Sequence, residues 1–206
     1  MKVYIDEAGR WPLAWPLYVG LIIPIKRFST KNFKDSKKLS EKQREKYFVQ
    51  IKKLQSDWKI IFTTWSVSNK YIDKYWITKS INLAIKSWLK KAMKQYNNLT
   101  LKHLVIDGNI DFWLSKDLNI PVQTIVKWDD KVSYISMASI IAKVSRDHLM
   151  KRLHKQYPKY WFDIHKWYGT KLHYQNIKQY WISPIHRKLF LRKLNNTKGW
   201  LNSKNT

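Results

Sequence analysis

The chain has 206 residues, which is enough for one sizeable hydrophobic core but too few for two ordinary domains and a linker. Its 40 lysines and arginines outnumber 14 aspartates and glutamates, and the net charge of +26 indicates a polyanionic partner bound mainly through phosphates, although a membrane surface or ribosomal RNA would also fit this charge. Without cysteine there can be no disulfide, and no apolar run approaches the roughly 20 residues of a membrane-spanning helix, so we expect a cytoplasmic protein without a membrane partner.

Strand-like and helix-like patterns alternate along the chain. Strands are predicted at 3–5, 17–23, 60–67, 104–106 and 122–126, from β-branched and aromatic runs. Helices are predicted at 40–54, with Ser40 as N-cap, and at 78–96, 134–157, 171–180 and 184–194. The first strand begins so early that we expect no signal peptide. The order predicts an α/β fold with a mixed sheet flanked by helices, in one domain over 1–194 with a polar tail over 195–206.

Two adjacent carboxylates, Asp6 and Glu7, follow the first apolar run. Successive strand residues point to opposite faces, so we expect the strand to end there, with a turn that brings both side chains to one point. Two neighbouring anions raise each other's pKa unless a cation lies between them. Because nothing in the sequence suggests zinc, the pair predicts oxygen ligands for Mg²⁺ or Mn²⁺, with a solvated Asp-Glu turn as the alternative.

Eight sequence blocks resemble those of ribonuclease HII and occur in the order of that family. They are YIDEAGRWPLAWP (4–16), DSKKLS (35–40), VIDGN (105–109), KWDDK (127–131), MASIIAKVSRD (137–147), YPKYWF (157–162), HKWYGTKLH (165–173) and SPIHRKLF (183–190). Together they span nearly the whole chain, which makes the resemblance specific. It implies a ribonuclease H-like mixed sheet flanked by helices, with a small helical extension at the C-terminus.

The resemblance also implies a two-metal nuclease. The family's metal-binding carboxylates match Asp6, Glu7, Asp107 and Asp129, and the implied cofactors are two Mg²⁺ or Mn²⁺ ions that activate water and stabilise the leaving 3′ oxygen. The implied substrates are RNA/DNA hybrids and duplex DNA containing single ribonucleotides, cut 5′ of the ribonucleotide to leave 3′-hydroxyl and 5′-phosphate ends. Taken alone, Asp107 is better explained by an Asp-Gly turn and Asp129 by a charge at a helix N-terminus.

Substrate recognition must read the 2′-hydroxyl, which distinguishes ribose from deoxyribose. In the family, the backbone of a Gly-Arg-Gly turn and a tyrosine at the junction sugar do this. The matching residues here are Gly9, Arg10, Trp11 and Tyr168. Phosphate contacts are predicted for Lys37, Lys143, Arg146 and Lys166, with His165 and Lys171 as further candidates, although such charges also occur on solvated faces. Asp147 and Arg187 are expected in structural ion pairs, and His173 and His186 are expected to be structural.

Tryptophan stands where the family has glycine at eight positions: Trp11, Trp15, Trp65, Trp76, Trp128, Trp161, Trp167 and Trp181. The chain has only 5 glycines but 12 tryptophans. Glycine serves where the backbone has positive φ or approaches another group closely, and an indole suits neither. We therefore hypothesise that UGA codons for glycine have been translated as tryptophan, the alternative being a natural tryptophan-rich protein. Trp58, Trp88, Trp113 and Trp200 lie outside the matched blocks and stay open.

Two other functions stay open from the sequence. A basic RNA-binding protein without catalytic activity would explain the charge but not the carboxylates at strand ends. Another ribonuclease H-like nuclease, such as ribonuclease HIII, would keep the carboxylates, but that type normally carries an extra N-terminal domain, and five residues precede Asp6 here. We expect the protein to be a monomer.

Overall fold

The computed structural model describes residues 1–33, 39–96, 100–126, 133–162 and 168–195. The described strands are β1 (Lys2–Ala8), β2 (Leu17–Pro24), β3 (Ile60–Val67), β4 (His103–Asp107) and β5 (Val122–Ile125). The described helices are α1 (Glu41–Ser56), α2 (Asn69–Gln95), α3 (Leu114–Leu118), α4 (Ser133–Gln156), α5 (Lys171–Tyr180) and α6 (Lys188–Asn195), with a 3-10 turn at Pro158–Tyr160. In these ranges no helix is both long enough and apolar enough to cross a membrane.

The strands form one mixed sheet in the order β3-β2-β1-β4-β5. The first three strands make an antiparallel meander, whereas β4 and β5 run parallel to β1. A parallel pair needs a crossover, and α2 lies in the chain between β3 and β4. The mixed α/β sheet predicted from the sequence is therefore confirmed, and the carboxyl ends of β1 and β4 lie side by side.

Both faces of the sheet are covered by helices. Val3, Val19 and Leu21 belong to the core that α2 closes, with Ile85 and Leu89 on the helix. The other core joins Ile22 and Ile60 of the sheet to Ile51 of α1 and Ile141 of α4.

Helix α4 lies unusually close to β2 at Gly20. A Cβ there would collide with the carbonyl oxygen of Ala138, so the glycine permits the close approach of helix and sheet. The approach brings the middle of α4 to the end of β1, where the acidic pair lies.

Strand β1 continues through the acidic pair, so the predicted turn between Ile5 and Ala8 is wrong. Asp6 pairs with Gly20 and Glu7 with Val19 of β2, and this pairing keeps the backbone extended. The parallel partner β4 pairs with β1 as far as Ile5. The two carboxylates therefore lie where β1 extends beyond β4, which leaves open space at the sheet end.

Helix boundaries were predicted less well than the existence of the helices. Ser40 caps α1 as expected, in a capping box with Gln43. Helix α2 begins at Asn69 instead of 78, and it contains a kink at Trp76. Helix α6 begins at Lys188 instead of 184, because the preceding residues pair with 13–15. The short helix α3 was not predicted, since its five residues show no periodicity.

Left-handed backbone is concentrated at tryptophans. Among the described residues, positive φ occurs at Trp15 (57°), Trp58 (54°), Trp76 (64°), Trp113 (59°), Trp161 (55°) and Trp181 (67°), and otherwise outside glycine at Phe112 and Asn119. Each such residue with a bulky side chain costs about 1 kcal/mol or more, so the six together would take a large part of the ~5–15 kcal/mol that stabilises a domain. The backbone of this fold therefore favours glycine at these six positions.

Candidate active site

A cavity of about 420 Å³ opens at the carboxyl ends of β1 and β4. Nine of the twelve predicted site residues line it: Asp6, Glu7, Gly9, Arg10, Trp11, Asp107, Lys143, Arg146 and Tyr168. The other three, Lys37, Asp129 and Lys166, lie outside the described residues, as does His165. Residues far apart in the chain thus converge as the strand topology requires, because open α/β sheets form clefts at their carboxyl ends.

The buried carboxylates of Asp6 and Glu7 resist ionisation. Burial, and next the charge of Asp107, raise the pKa of Asp6 to about 6, while the hydroxyl of Ser139 and the charge of Lys143 act in the opposite direction. Burial, and next the charge of Asp6, raise the pKa of Glu7 to about 8. A cation between these groups would remove the repulsion that raises both pKa values.

Glu7 also has an unused ligand atom. Its Oε1 lies 3.3 Å from Nη1 of Arg10, whereas its buried Oε2 has no hydrogen-bond partner in the described part of the chain. Burying a carboxylate oxygen without a hydrogen-bond partner costs folding free energy. Such an oxygen is a suitable ligand for a hard divalent cation.

The described side chains do not by themselves complete a metal site. No group of three or more His, Cys, Asp or Glu side chains within 1–33, 39–96, 100–126, 133–162 and 168–195 is arranged to hold a metal ion. Asp6, Glu7 and Asp107 share the cavity and influence one another's charge, but they do not form such a group. The fourth predicted ligand, Asp129, falls outside the described residues.

The turn after β1 is shaped by its neighbours. Gly9 has a φ of 88°, and a Cβ at this position would collide with Nε of Arg146. The side chain of Arg10 turns toward Glu7 and lies 5.3 Å from the ring of Phe112. The conformation of the turn is therefore constrained by Arg146 on one side and by Glu7 on the other.

Arg146 and Tyr168 are neighbours in the lining of the cavity. The guanidinium of Arg146 lies 6.0 Å from the Tyr168 ring, and Arg146 is only 3% exposed. Burial lowers the pKa of Arg146, and the nearby hydroxyl of Tyr168 counteracts this. Tyr168 is 46% exposed, which suits an aromatic side chain that meets a ligand.

Trp11 lines the same cavity and is 71% exposed. The described backbone does not give Trp11 a positive φ, in contrast to Trp15. An indole so exposed occupies space that a ligand of the cavity would need. The expected crowding by Trp128 and Trp167 concerns residues outside the described ranges.

Sequence reasoning missed three polar residues that line the cavity, namely Arg44, Ser139 and Asp147. Ser139 acts on Asp6, and Arg44 forms an ion pair with Asp147 at 3.4 Å. The ion pair of Asp147 was predicted, but its place in the cavity was not. Arg44 was missed because it lies in an ordinary amphipathic helix, and no signal in its surroundings distinguishes it from the other basic residues of α1.

Arg187 has a different role from the predicted ion pair. Its guanidinium is fully buried and donates to the backbone carbonyls of Gly9, Arg10 and Trp15. Burial, and next the positive charge of Arg146, lower the pKa of Arg187 to about 9. The buried guanidinium of Arg187 therefore fixes the backbone of the turn that lines the cavity.

Comparisons with known proteins agree with one another. The family model described as Ribonuclease HII matches residues 3–193. A ribonuclease HII of Clostridioides difficile (strain 630) is 38% identical over 190 residues, covering 92% of this chain and 69% of the relative. A ribonuclease HII of Aliarcobacter butzleri (strain RM4018) is 41% identical over 189 residues, covering 92% and 90%. The structure of the PCNA:RNase HII complex from Archaeoglobus fulgidus superposes with a TM-score of 0.73 at 25% identity, covering 99% of this chain and 100% of that one.

Proposed function

The chain belongs to the ribonuclease HII family and is a ribonuclease H endonuclease, and we propose that its cavity cuts both RNA/DNA hybrids and duplex DNA containing single ribonucleotides. In the second substrate the cut lies 5′ of the ribonucleotide and leaves 3′-hydroxyl and 5′-phosphate ends. The observation that carries the proposal is the meeting of nine predicted site residues, from separate sequence blocks, in one cavity. The net charge of +26 suits a polyanionic substrate.

Asp6, Glu7 and Asp107, together with Asp129, would hold two Mg²⁺ or Mn²⁺ ions. The raised pKa values of Asp6 and Glu7 and the unpartnered Oε2 of Glu7 support a cation at this place. When bound, the ions supply the Lewis acidity that activates a water and stabilises negative charge on the leaving 3′ oxygen. The protein's own part is to hold the carboxylates at the sheet end and to orient Asp6 through Ser139.

Ribose recognition would belong to the turn and the tyrosine. Gly9, Arg10 and residue 11 line one part of the cavity, and Tyr168 lines another. Lys143 and Arg146 add positive charge beside them, which suits the phosphates of a bound strand. Lys37 and Lys166 complete the predicted phosphate contacts.

The metal site is tested by removing one charge at a time. Asp6→Asn or Asp107→Asn should abolish cleavage of both duplexes, since each removes a ligand charge with little change in volume. The matched control is Asp57→Asn, because Asp57 is an exposed aspartate whose carboxylate lies 3.6 Å from Nζ of Lys59. Near-parental turnover of Asp6→Asn or Asp107→Asn with Mg²⁺ or Mn²⁺ present would remove the assignment.

We further propose that the tryptophans in left-handed backbone are glycines in the native protein. The positive φ of Trp15, Trp76, Trp161 and Trp181 supports four of the eight positions inferred from the family pattern. The same criterion adds Trp58 and Trp113 to the set. Trp88 is a genuine tryptophan in this proposal, because it is buried within α2 and belongs to the main core.

The gene and the native protein test this directly. We expect UGA codons at 11, 15, 58, 65, 76, 113, 128, 161, 167 and 181, and glycine at these positions in the mass spectrum of the native protein. Trp65 gives the strictest test of the recoding. It lies in regular strand pairing with Val19, and its backbone conformation does not require glycine, so only the family pattern predicts glycine there. Standard UGG codons at the left-handed positions would contradict the recoding and leave the nuclease assignment in place.

The cytoplasmic location and the monomeric state stay predictions. Light scattering after gel filtration tests the monomeric state, and a stable dimer would contradict this prediction.

A further inference from the structure

Residues 183–187 connect the two parts of the cavity that are proposed to read ribose. This segment runs beside residues 13–15, through hydrogen bonds from Trp15 N to the Ile185 carbonyl at 2.7 Å and from Arg187 N to the Leu13 carbonyl at 2.8 Å. A β-bridge between Ala14 and His186 lies between them. The segment is thus attached to the loop that follows the Gly9–Trp11 turn.

Arg187 extends this attachment into the turn itself. Its Nη2 donates to the Gly9 carbonyl at 2.7 Å, its Nη1 to the Arg10 carbonyl at 2.9 Å, and its Nε to the Trp15 carbonyl at 2.9 Å. Three carbonyls that accept from one rigid, planar cation cannot move independently. The position of the turn is therefore coupled to the position of residue 187.

His186, in the same segment, connects it to the part of the cavity that contains Tyr168. The backbone N–H of Ser183 donates to Nδ1 of His186 at 2.9 Å, so this nitrogen must be unprotonated. The proton of neutral His186 is consequently on Nε2, which lies 3.1 Å from Nε2 of His173. His173 must accept there.

His173 completes the connection to Tyr168. With its Nε2 accepting, its proton is on Nδ1, which lies 3.0 Å from the Tyr168 carbonyl and donates to it. The rings of Tyr160 and Phe162 pack against the pair, with centroids 5.2 Å from His186 and 5.7 Å from His173. Each hydrogen bond in this relay, which runs from Ser183 through His186 and His173 to the Tyr168 carbonyl, has one possible donor and one possible acceptor. The relay therefore holds the backbone at Tyr168 in one arrangement.

We propose that Arg187, His186 and His173 are positioning residues for ribose recognition, which hold the Gly9–Trp11 turn and Tyr168 at a fixed separation. The inference rests on the proposed function, in which the turn and Tyr168 contact the ribonucleotide and the junction sugar. None of the three side chains needs to touch the substrate. Their effect is transmitted through the backbone that they fix.

The consequence is a selective loss of junction cleavage. Phosphate contacts elsewhere still bind the duplex, so KM should change little when the relay is broken. A displacement of about 1 Å at a reacting position costs up to ~10²-fold in rate, and it should fall on kcat for the single-ribonucleotide duplex. A long hybrid has no junction at most cleavage sites, so it depends less on Tyr168.

Two substitutions of His173 separate positioning from folding. His173→Asn places an amide N–H near the position of Nδ1 and so keeps a donor to the Tyr168 carbonyl. In His173→Gln the longer side chain extends toward His186, and the hydrogen bond to the Tyr168 carbonyl is lost. We expect His173→Gln to lower the ratio of junction to hybrid cleavage at least about tenfold, and His173→Asn to restore most of that ratio. Because the ratio compares two substrates of one protein sample, partial unfolding cancels.

The tautomers give a second readout that needs no activity. Long-range ¹H–¹⁵N spectra of the free protein, which has 6 histidines, should show His186 protonated on Nε2 and His173 on Nδ1. A different tautomer of either residue, or equal losses on both substrates in His173→Gln, would overturn the inference. The parent protein for these assays carries glycine at the ten positions proposed above. If it cuts both duplexes, that result leaves the proposed function intact; if it cuts neither, the proposed function and this inference are overturned together.

Discussion

Glu7 permits a test of the carboxylate site by stability rather than by cleavage. Glu7→Gln keeps the size of the side chain and removes its charge. Burial and the charge of Asp6 raise the pKa of Glu7 from 4.5 to about 8, so the folded protein binds this proton more tightly than the unfolded chain does. The contribution of Glu7 to the stability of the metal-free parent protein therefore falls as the pH rises from about 4.5 to about 8.

The size of the effect follows from the pKa shift. At ~1.36 kcal/mol for each pKa unit, the ionised Glu7 costs at most about 5 kcal/mol of unfolding free energy above pH 8. The variant also exchanges the ion pair with Arg10 for a weaker hydrogen bond, which offsets part of the gain. We expect Glu7→Gln to be more stable than the parent by roughly 2–5 kcal/mol at pH 9 and equally stable near pH 4.

Urea unfolding in EDTA at pH 4, 7 and 9 measures this difference. Glu45→Gln is the control, because Glu45 is partly exposed and pairs with His148 at the protein surface. It should change stability by less than about 1 kcal/mol. Adding Mg²⁺ should stabilise the parent more than Glu7→Gln, since the cation relieves the repulsion that the variant lacks. If Glu7→Gln is no more stable than the parent at pH 9 without metal, the reasoning about the site is refuted.

Three further predictions concern binding and the backbone. Affinity for a hybrid should fall by ~10³ to 10⁵ between about 50 and 200 mM salt if ~6 to 10 phosphates are contacted, and a flat salt response would contradict a phosphate-bound partner. Glycine at the six left-handed tryptophans should raise the unfolding free energy by roughly 3–6 kcal/mol in urea titrations, whereas no gain would mean that the indoles stabilise these turns. Gly9→Ala should destabilise the protein by about 2 kcal/mol more than Gly108→Ala, because both have positive φ but only Gly9 also meets Arg146; equal losses would contradict that contact.

The carboxylate site combines two opposing requirements. Asp6 and Glu7 are buried at the end of a sheet, where their charges destabilise the metal-free protein. In the proposed function, the same burial would make them strong ligands for a cation, because solvent would compete less for their oxygens. If the proposed function is right, a site of this kind is stabilised by the ion it binds, so Mg²⁺ should offset the destabilisation that the ionised Glu7 causes in the metal-free protein.

The sequence by itself determined the elements and their order. Short apolar runs rich in β-branched and aromatic residues specify β1 and β2, and helical spacing with a capping serine specifies α1, because these signals act over a few residues. The resemblance to one family then named nine residues that the structure brings into one cavity. Even the suspicion about the tryptophans came from the sequence, since the motifs showed where glycine belongs.

Tertiary structure alone decided how the cavity is held. Nothing near Arg187 in the chain predicts that it binds the carbonyl of Gly9, which lies 178 positions away. The His173–His186 pair likewise becomes directional only when Ser183 donates to it in the folded chain. The continuation of β1 through Glu7 depends on pairing with β2. Local patterns encode local conformation, but these contacts join distant segments, and their geometry exists only after the sheet and helices have packed.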